Sequence, residues 1–473
     1  MSAFFPIDLG AAGSRKAILF YDARLVDRDV DFSGALLARE GKIERTFVAS
    51  DAADAQAIAA LRADPAVECV DARGAVLMPA FVDLHAHFRD PGFTQKEDAA
   101  TASRAACAGG YGTVVLMANT NPVVSTQGEA LTVDSRVRAE GLIDAFQAVS
   151  LTKGFDGRDV SALETLDRAI VPVASEDGRE VASAAVMLRA MEACALTGVI
   201  VSCHCEDPEL ALAAKPHRVA ALEAARASGL PPGRLASQGK APADNVAREL
   251  AAAGRLLALA EDTMTERNLR IARAAGCRVH IAHVSTRASL DAVRRAKADS
   301  RASGGFSVTC EATPHHLALT DALPEIVNPP LRDEADREAL IAGLLDGTVD
   351  AIATDHAPHT ADDKASGAPG FSGIEIAFAT VNTALAKNGR VDLRKLSALM
   401  AAAPASIIGL TRGLLRAGYD ADLVLVDPDA RFVVDPASGD WHSRGKNTPL
   451  AGKTLSGVVL ATYKRGARVY GRE

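Results

Sequence analysis

From about residue 76 this chain repeats one pattern eight times: a short β-branched apolar run that ends in polar residues, then an Ala/Leu/Arg-rich stretch of helical period. The runs are "AFVDLHAH", "GTVVLMANT", "DAFQAVSLT", "AIVPVASED", "GVIVSCHCED", "RVHIAHVST", "FSVTCEAT" and "VDAIATDHAPH". Between them lie segments such as "ASAAVMLRAMEACALTG" and "MTERNLRIARAAG", the latter closing on a Gly suited to a helix C-terminus. Eight strand–helix units in roughly 330 residues predict a closed parallel (β/α)₈ TIM barrel of the α/β class. An open doubly wound sheet is the runner-up, but no GxGxxG follows the first strand.

Outside that stretch the period changes. Residues 16–75 and 413–473 hold short alternating runs separated by turn residues ("KAILFYDARLV", "VECVDARGAVLMP", "DADLVLVDPDARFVV"). Neither half suffices for a core, so the two are expected to pair into one small β-sandwich beside the barrel. The expected domains are therefore 1–75 (N-terminal part of the sandwich), 76–412 (barrel) and 413–473 (C-terminal part of the sandwich). The stretch "LEAARASGLPPGRLASQGKAPADNVARELAAAGRLLALAEDT" reads as a helical excursion after the fifth strand.

Composition narrows the function. A net charge of −8 with both signs interspersed provides no basic stripe for nucleic acid and no polybasic anchor for a membrane. No run approaches the ~18 apolar residues of a membrane helix. The start "MSAFFPIDLGAAGSRK" lacks a basic-then-apolar leader. Seven cysteines, without a CxxC pair, read as buried reduced thiols, so the expected location is cytoplasmic. Cys203 and Cys205 flank His204, and their side chains are expected on the opposite strand face, in the core.

In a parallel barrel all strand C-termini share one face, where active sites are built. His85 and His87, two apart on the first strand, point to the same side. His204 ends the fifth strand and His283 the sixth, while Asp177 and Asp355 end the fourth and eighth. Imidazoles and carboxylates converging on one face are expected to bind metal: two histidines with carboxylates hold one ion, and His204 with His283 a second. Two adjacent ions need a bridging anion. Strand four contains no lysine but ends in Glu176-Asp177-Gly178, so Asp177 is the expected bridge, with a carboxylated Lys153 as the alternative. His280, three residues before His283, is expected to face away from it.

These motifs resemble the amidohydrolase superfamily, most closely the class I dihydroorotases. The residues are "DLHAHFRDPG" (83–92), "KED" (96–98), "MANTNP" (117–122), "SEDG" (175–178), "HCED" (204–207), "HIAHVST" (280–286), "EATPHHL" (311–317), "NPPLR" (328–332), "ATDHAPH" (353–359) and "PGFSGIE" (369–375). They stand in the family's order along nearly the whole chain. The resemblance implies a dinuclear zinc hydrolase that interconverts L-dihydroorotate and N-carbamoyl-L-aspartate in pyrimidine synthesis. It implies that His85, His87, Asp177 and Asp355 bind one Zn²⁺, and that Asp177, His204 and His283 bind the other. It assigns Arg89, Asn119 and His359 to the substrate carboxylate, Asn328, Pro369 and Gly370 to the ring, and His87 to the substrate's surroundings as well as to metal. Asp355 is the implied acid–base group. His315 and His316 match the motif without an implied catalytic role.

The implied partners are a small-molecule substrate, a second copy in a homodimer, and aspartate carbamoyltransferase as a candidate complex. Ala118 departs from the family's usual Pro, Gly112-Thr113 also differs, and the excursion near residues 222–256 is unusual. Two alternatives compete: an allantoinase- or hydantoinase-like cyclic amidase, and an inactive homologue serving as a partner of aspartate carbamoyltransferase. Arg89, Asn119 and His359 favour a substrate carboxylate over the first. The complete ligand set opposes the second.

Overall fold

The computed structural model describes residues 2–7, 17–237 and 240–472. Residues 1 and 8–16 of the expected N-terminal segment, 238–239 of the helical excursion, and 473 lie outside the described residues. The chain starts in β1 (Ser2–Phe4), β2 (Ala17–Val26), β3 (Asp31–Arg39), β4 (Lys42–Val48), β5 (Val67–Asp71) and β6 (Val76–Pro79). Past Ala80 it enters the barrel strands: β7 (Phe81–Ala86), β8 (Tyr111–Leu116), β9 (Asp144–Gln147), β10 (Val173–Ser175), β11 (Ile200–Cys203), β12 (Arg278–Ile281), β13 (Ser307–Ala312) and β14 (Ala351–Ile352). It then returns with β15 (Leu423–Val433), β16 (Thr454–Lys464) and β17 (Ala467–Arg472).

Barrel closure is visible in the hydrogen bonds. Strands β7-β8-β9 pair in parallel, as do β10-β11-β12-β13-β14. Two parallel bridges join these arcs into a ring, Val149 to Ala174 and Ala86 to His356. Beside them, Ser175 N–H donates to the Val149 carbonyl (2.8 Å) and His87 N–H to the His356 carbonyl (2.9 Å). All eight expected runs supply a strand, so the barrel read from periodicity is the barrel that forms.

The helices between strands follow their local signals. Helix Ala99–Ala108 starts at a capping box in which the Asp98 carboxylate accepts from Thr101 N–H. Helix Asp244–Ala275 stops at Gly276, whose φ of +67° is the left-handed turn a side chain resists. The core joins strand residues such as Val114, Val201 and Val279 to helix residues such as Ala102, Met187 and Met264. The excursion is two helices packed along each other, Pro208–Ala227 and Asp244–Ala275.

The terminal segments form the expected sandwich from one continuous nine-stranded sheet. Strand β2 bends at Asp22, with φ of +50°, so that its first half pairs with β5 and its second with β6. That bend helps to curl the sheet over its own core. Phe20 of β2 and Tyr463 of β16 thereby meet edge to face, 4.7 Å between centroids, although two strands separate them in the sheet. Strand β6 pairs with both β2 and β15, so the barrel's first strand leaves directly from this sheet.

Candidate active site

The ends of β7, β10, β11, β12 and β14 bring His85, His87, Asp177, His204, His283 and Asp355 together, each buried. The Asp177 carboxylate stands at the centre. Its Oδ1 lies 3.2 Å from His85 Nε2, 3.2 Å from His204 Nδ1 and 3.6 Å from His283 Nε2. Its Oδ2 lies 3.4 Å from His87 Nε2. Asp355 Oδ1 is 3.1 Å from His87 Nε2 and 3.7 Å from His85 Nε2. His204 Nδ1 and His283 Nε2 are 3.0 Å apart. Two ligand groups follow, His85/His87/Asp355 and His85/Asp177/His283, each with one donor atom per residue within 4.8 Å of the others.

Donor atoms about 2.0–2.1 Å from one tetrahedral ion stand roughly 3.3 Å from each other, and these separations fall around that value. The tautomers agree. His85 Nδ1 faces the acceptor Glu311 Oε1 at 3.0 Å and donates to it, which leaves Nε2, on the side of the carboxylates, as the nitrogen a metal would take in place of a proton. Beyond its approach to Asp177 and Asp355, that buried Nε2 makes no hydrogen bond among the described residues. His87 Nδ1 likewise faces Asn119 Oδ1 at 2.9 Å. The chain thus has a metal-binding His/Asp cluster, and the residues present fit divalent ions.

Charge in the cluster is balanced between rings and carboxylates. Burial alone would raise the Asp177 pKa, but His85, His204 and His283 hold it well below the usual carboxylate range. Asp355 is lowered too, by His87 and His85 against the penalty of burial. Burial opposes protonation of His85 and His204, yet the surrounding carboxylates hold both well above an ordinary histidine. Such a pocket favours positive charge, which a metal supplies without protons.

The other expected site residues lie around this cluster. Arg89, at φ +60°, donates from Nε to the Pro358 carbonyl (3.3 Å), and a terminal nitrogen lies 3.4 Å from His359 Nε2. It forms no ion pair among the described residues. His359 Nε2 lies 2.8 Å from the Pro369 carbonyl, and burial, then Arg89, pushes its pKa down to about 3. Asn119 was expected to hold substrate; here its amide spans His87 and Asp177, donating to Asp177 Oδ2 at 3.2 Å. Asn328 keeps a buried Oδ1 without a partner. Gly370 lies alongside Ala357, where a Cβ would meet the Ala357 Cβ at 2.6 Å. Lys153 is exposed in the turn Lys153–Phe155, whereas Asp177 is buried among the histidines.

Three further features emerge. His280 does turn away from the metal cluster, bonding Glu311 Oε2 (3.0 Å) and Thr309 Oγ1 (2.8 Å). Glu311, which the sequence reading left without a role, therefore links His280 to His85; a carboxylate inside the apolar run "SVTCEA" was the available signal. Asn447 reaches in from the terminal segment, accepting from His359 N–H (3.0 Å) and donating to the Ala357 and Gly370 carbonyls (both 3.0 Å). Cys203 and Cys205 are buried in the core as expected, whereas Cys69 is exposed.

A sequence profile described as "Amidohydrolase family" matches residues 76–469. A dihydroorotase of Clostridium botulinum is 35% identical over 455 residues, covering 96% of this chain and 99% of that protein. One from Caldanaerobacter subterraneus is 39% identical over 407 residues, 84% and 86% of the two chains. Among solved structures, the L-hydantoinase (dihydropyrimidinase) of Arthrobacter aurescens superposes with a TM-score of 0.78 over 96% of each chain, at 22% identity. The dihydropyrimidinase of Brevibacillus agri gives 0.76 over 96% and 95%, at 19% identity. At such identities the structural likeness speaks for the fold alone.

Proposed function

This chain belongs to the amidohydrolase family, and from that premise we propose that it works as a class I dihydroorotase. It is a cyclic amide hydrolase acting on a small molecule, and the reaction is the reversible interconversion of L-dihydroorotate and N-carbamoyl-L-aspartate in pyrimidine synthesis. Beside the curated relatives, the observation that carries the choice of substrate is Arg89. A half-buried guanidinium just past the strand that bears His85 and His87, paired with no carboxylate among the described residues, is a fork suited to a substrate carboxylate. Hydantoin and allantoin carry no such group.

His85, His87, Asp177 and Asp355 would hold one Zn²⁺, and Asp177, His204 and His283 a second. Bound there, the ions would acidify water and polarise the ring carbonyl. Glu311 and Asn119 fix the tautomers of His85 and His87. Asp355, ionised at neutral pH because histidines surround it, accepts a proton from the attacking water and returns it to the departing ring nitrogen. Ring closure uses the same carboxylate in reverse. Arg89 and His359 orient the substrate carboxylate, while Asn328 and the Pro369-Gly370 backbone line the ring.

The same proposal includes a homodimer, the domain division 1–75, 76–412 and 413–473, and aspartate carbamoyltransferase as a candidate partner. No described helix is long and apolar enough to cross a membrane. Seven free thiols support the cytoplasm as the compartment. The deciding experiment is a steady-state assay of dihydroorotate and carbamoyl-aspartate beside hydantoin and allantoin, with metal analysis of the same sample. Turnover confined to the first pair with two ions per chain is expected; preference for hydantoin or allantoin would leave only the metal-dependent amidase.

A further inference from the structure

Asn328 and Pro369-Gly370 sit on loops that follow different barrel strands, yet one side chain binds the two loops together. Lys364, on the short helix Ala361–Ala365, donates from Nζ to the carbonyls of Ile326 (3.0 Å), Ala368 (2.9 Å) and Gly370 (3.2 Å). An ammonium has three protons, so these acceptors use its full capacity. The acceptors stand two residues before Asn328, next to Pro369, and at Gly370 itself. A lysine that only closed its own helix would bond carbonyls within 361–365; none of these three belongs there.

The surroundings hold this arrangement in place. Gly370 N–H donates to the Ile326 carbonyl at 3.2 Å, so one backbone bond runs parallel to the lysine bridge. Lys364 Nζ lies 5.6 Å from the centroid of Phe371, whose ring meets His315 edge-on. Helix Pro208–Ala227 backs both loops: Arg218 donates to the Val327 carbonyl (3.0 Å) and Arg226 to the Ala365 carbonyl (2.6 Å). Burial pushes the Lys364 pKa down to about 8, with Glu325 the carboxylate that opposes the shift. An ammonium kept in so unfavourable a place is held by its acceptors.

We propose that Lys364 is a positioning residue for the substrate pocket: by gathering three carbonyls it sets the gap between Asn328 and Pro369-Gly370, and with it the fit of the ring. The role rests on the reading of those two segments as substrate contacts. It makes no use of the metal cluster, so the metal content should be independent of it.

The test compares Lys364→Met, which keeps the stem and removes the donors, with Lys364→Arg in the metal-loaded full chain. Hydrogen–deuterium exchange in peptides 326–331 and 366–372 should accelerate about 10-fold in Lys364→Met. KM for dihydroorotate should rise about 10-fold while kcat stays within about 3-fold and bound metal is unchanged. Lys364→Arg should recover part of both the protection and KM. Unchanged exchange in both peptides overturns the clamp; faster exchange with an unchanged KM overturns its part in substrate fit. Should Lys364→Met not fold, Lys364→Gln, with fewer donors, takes its place under the same two readings. If the unaltered chain does not turn over dihydroorotate, the proposed function fails, and the exchange measurement still decides the clamp.

Discussion

On the proposed reading, Arg89 and Asp177 divide the work of the site between substrate and metal. Arg89→Lys keeps a positive charge but loses the planar fork, so it should weaken dihydroorotate and leave metal content alone. Loss of a charge-assisted pair in a closed site costs on the order of 2–4 kcal/mol, or roughly 30- to 1,000-fold in kcat/KM. Steady-state kinetics beside metal analysis reads both halves; an unchanged kcat/KM removes Arg89 from the substrate. Asp177→Asn acts in the opposite way. It takes the negative charge from the point where His85, His204 and His283 converge, so both metal positions should empty and turnover should vanish. Added bicarbonate should not change the activity of the unaltered chain, since the exposed Lys153 needs no carboxylation where Asp177 is the bridge. If Asp355 is the proposed acid–base group, Asp355→Asn should lower kcat from dihydroorotate and from carbamoyl-aspartate alike, because one carboxylate would move the proton each way.

Strands determine which of these residues could be read in advance. Each barrel strand announces itself by its apolar run, and each candidate ligand by ending such a run, which is why the convergence of His85, His87, His204 and His283 was legible before any contact was known. A residue inside a run is harder to read, because sequence shows a carboxylate without its partner. Glu311 is such a case: β13 carries it beside both His85 and His280, and neither pairing has a sequence spacing. Asn447 is another, since its contact with His359 joins the C-terminal segment to the barrel across 88 positions of sequence. Glu311→Gln keeps the shape but removes the charge that holds the His85 tautomer. Such partners behind a metal ligand contribute about 10- to 100-fold in metal affinity. Competition with a calibrated chelator should show a loss of that size, with the fold intact by circular dichroism; unaltered affinity would assign Glu311 to packing alone.

At the scale of the whole molecule, the terminal sheet is bound to the barrel at the end opposite the metal cluster. Lys464 of β16, fully buried, donates to the Gly112 carbonyl of β8 (3.1 Å), to Asp144 of β9 (2.5 Å) and to Asp422 (2.6 Å). Arg412 joins the same group, bonding Thr113 Oγ1 (2.6 Å), Asp144 (2.7 Å) and Asp420 (3.0 Å). Gly112 and Thr113 lie in the first half of β8 and Asp144 begins β9, so this network lies on the barrel face where residues serve stability. Removing one partner from a buried ion network leaves uncompensated charge and costs about 3–5 kcal/mol. Lys464→Met should therefore lower the urea midpoint by a corresponding amount while the folded enzyme keeps its kcat and metal. The network also sets a pH dependence. Burial would raise the Asp144 pKa, but Lys464 and Arg412 depress it below the ordinary 3.8. A depressed carboxylate contributes stability that is complete above its unfolded value and is lost as pH falls through its folded one. Unfolding measured from pH 7 downward should thus show little change from this group until the pH passes below the ordinary aspartate range. Asp144→Asn should flatten the loss beneath it. An acid limb as steep in Asp144→Asn as in the unaltered chain would place the acid sensitivity in other carboxylates.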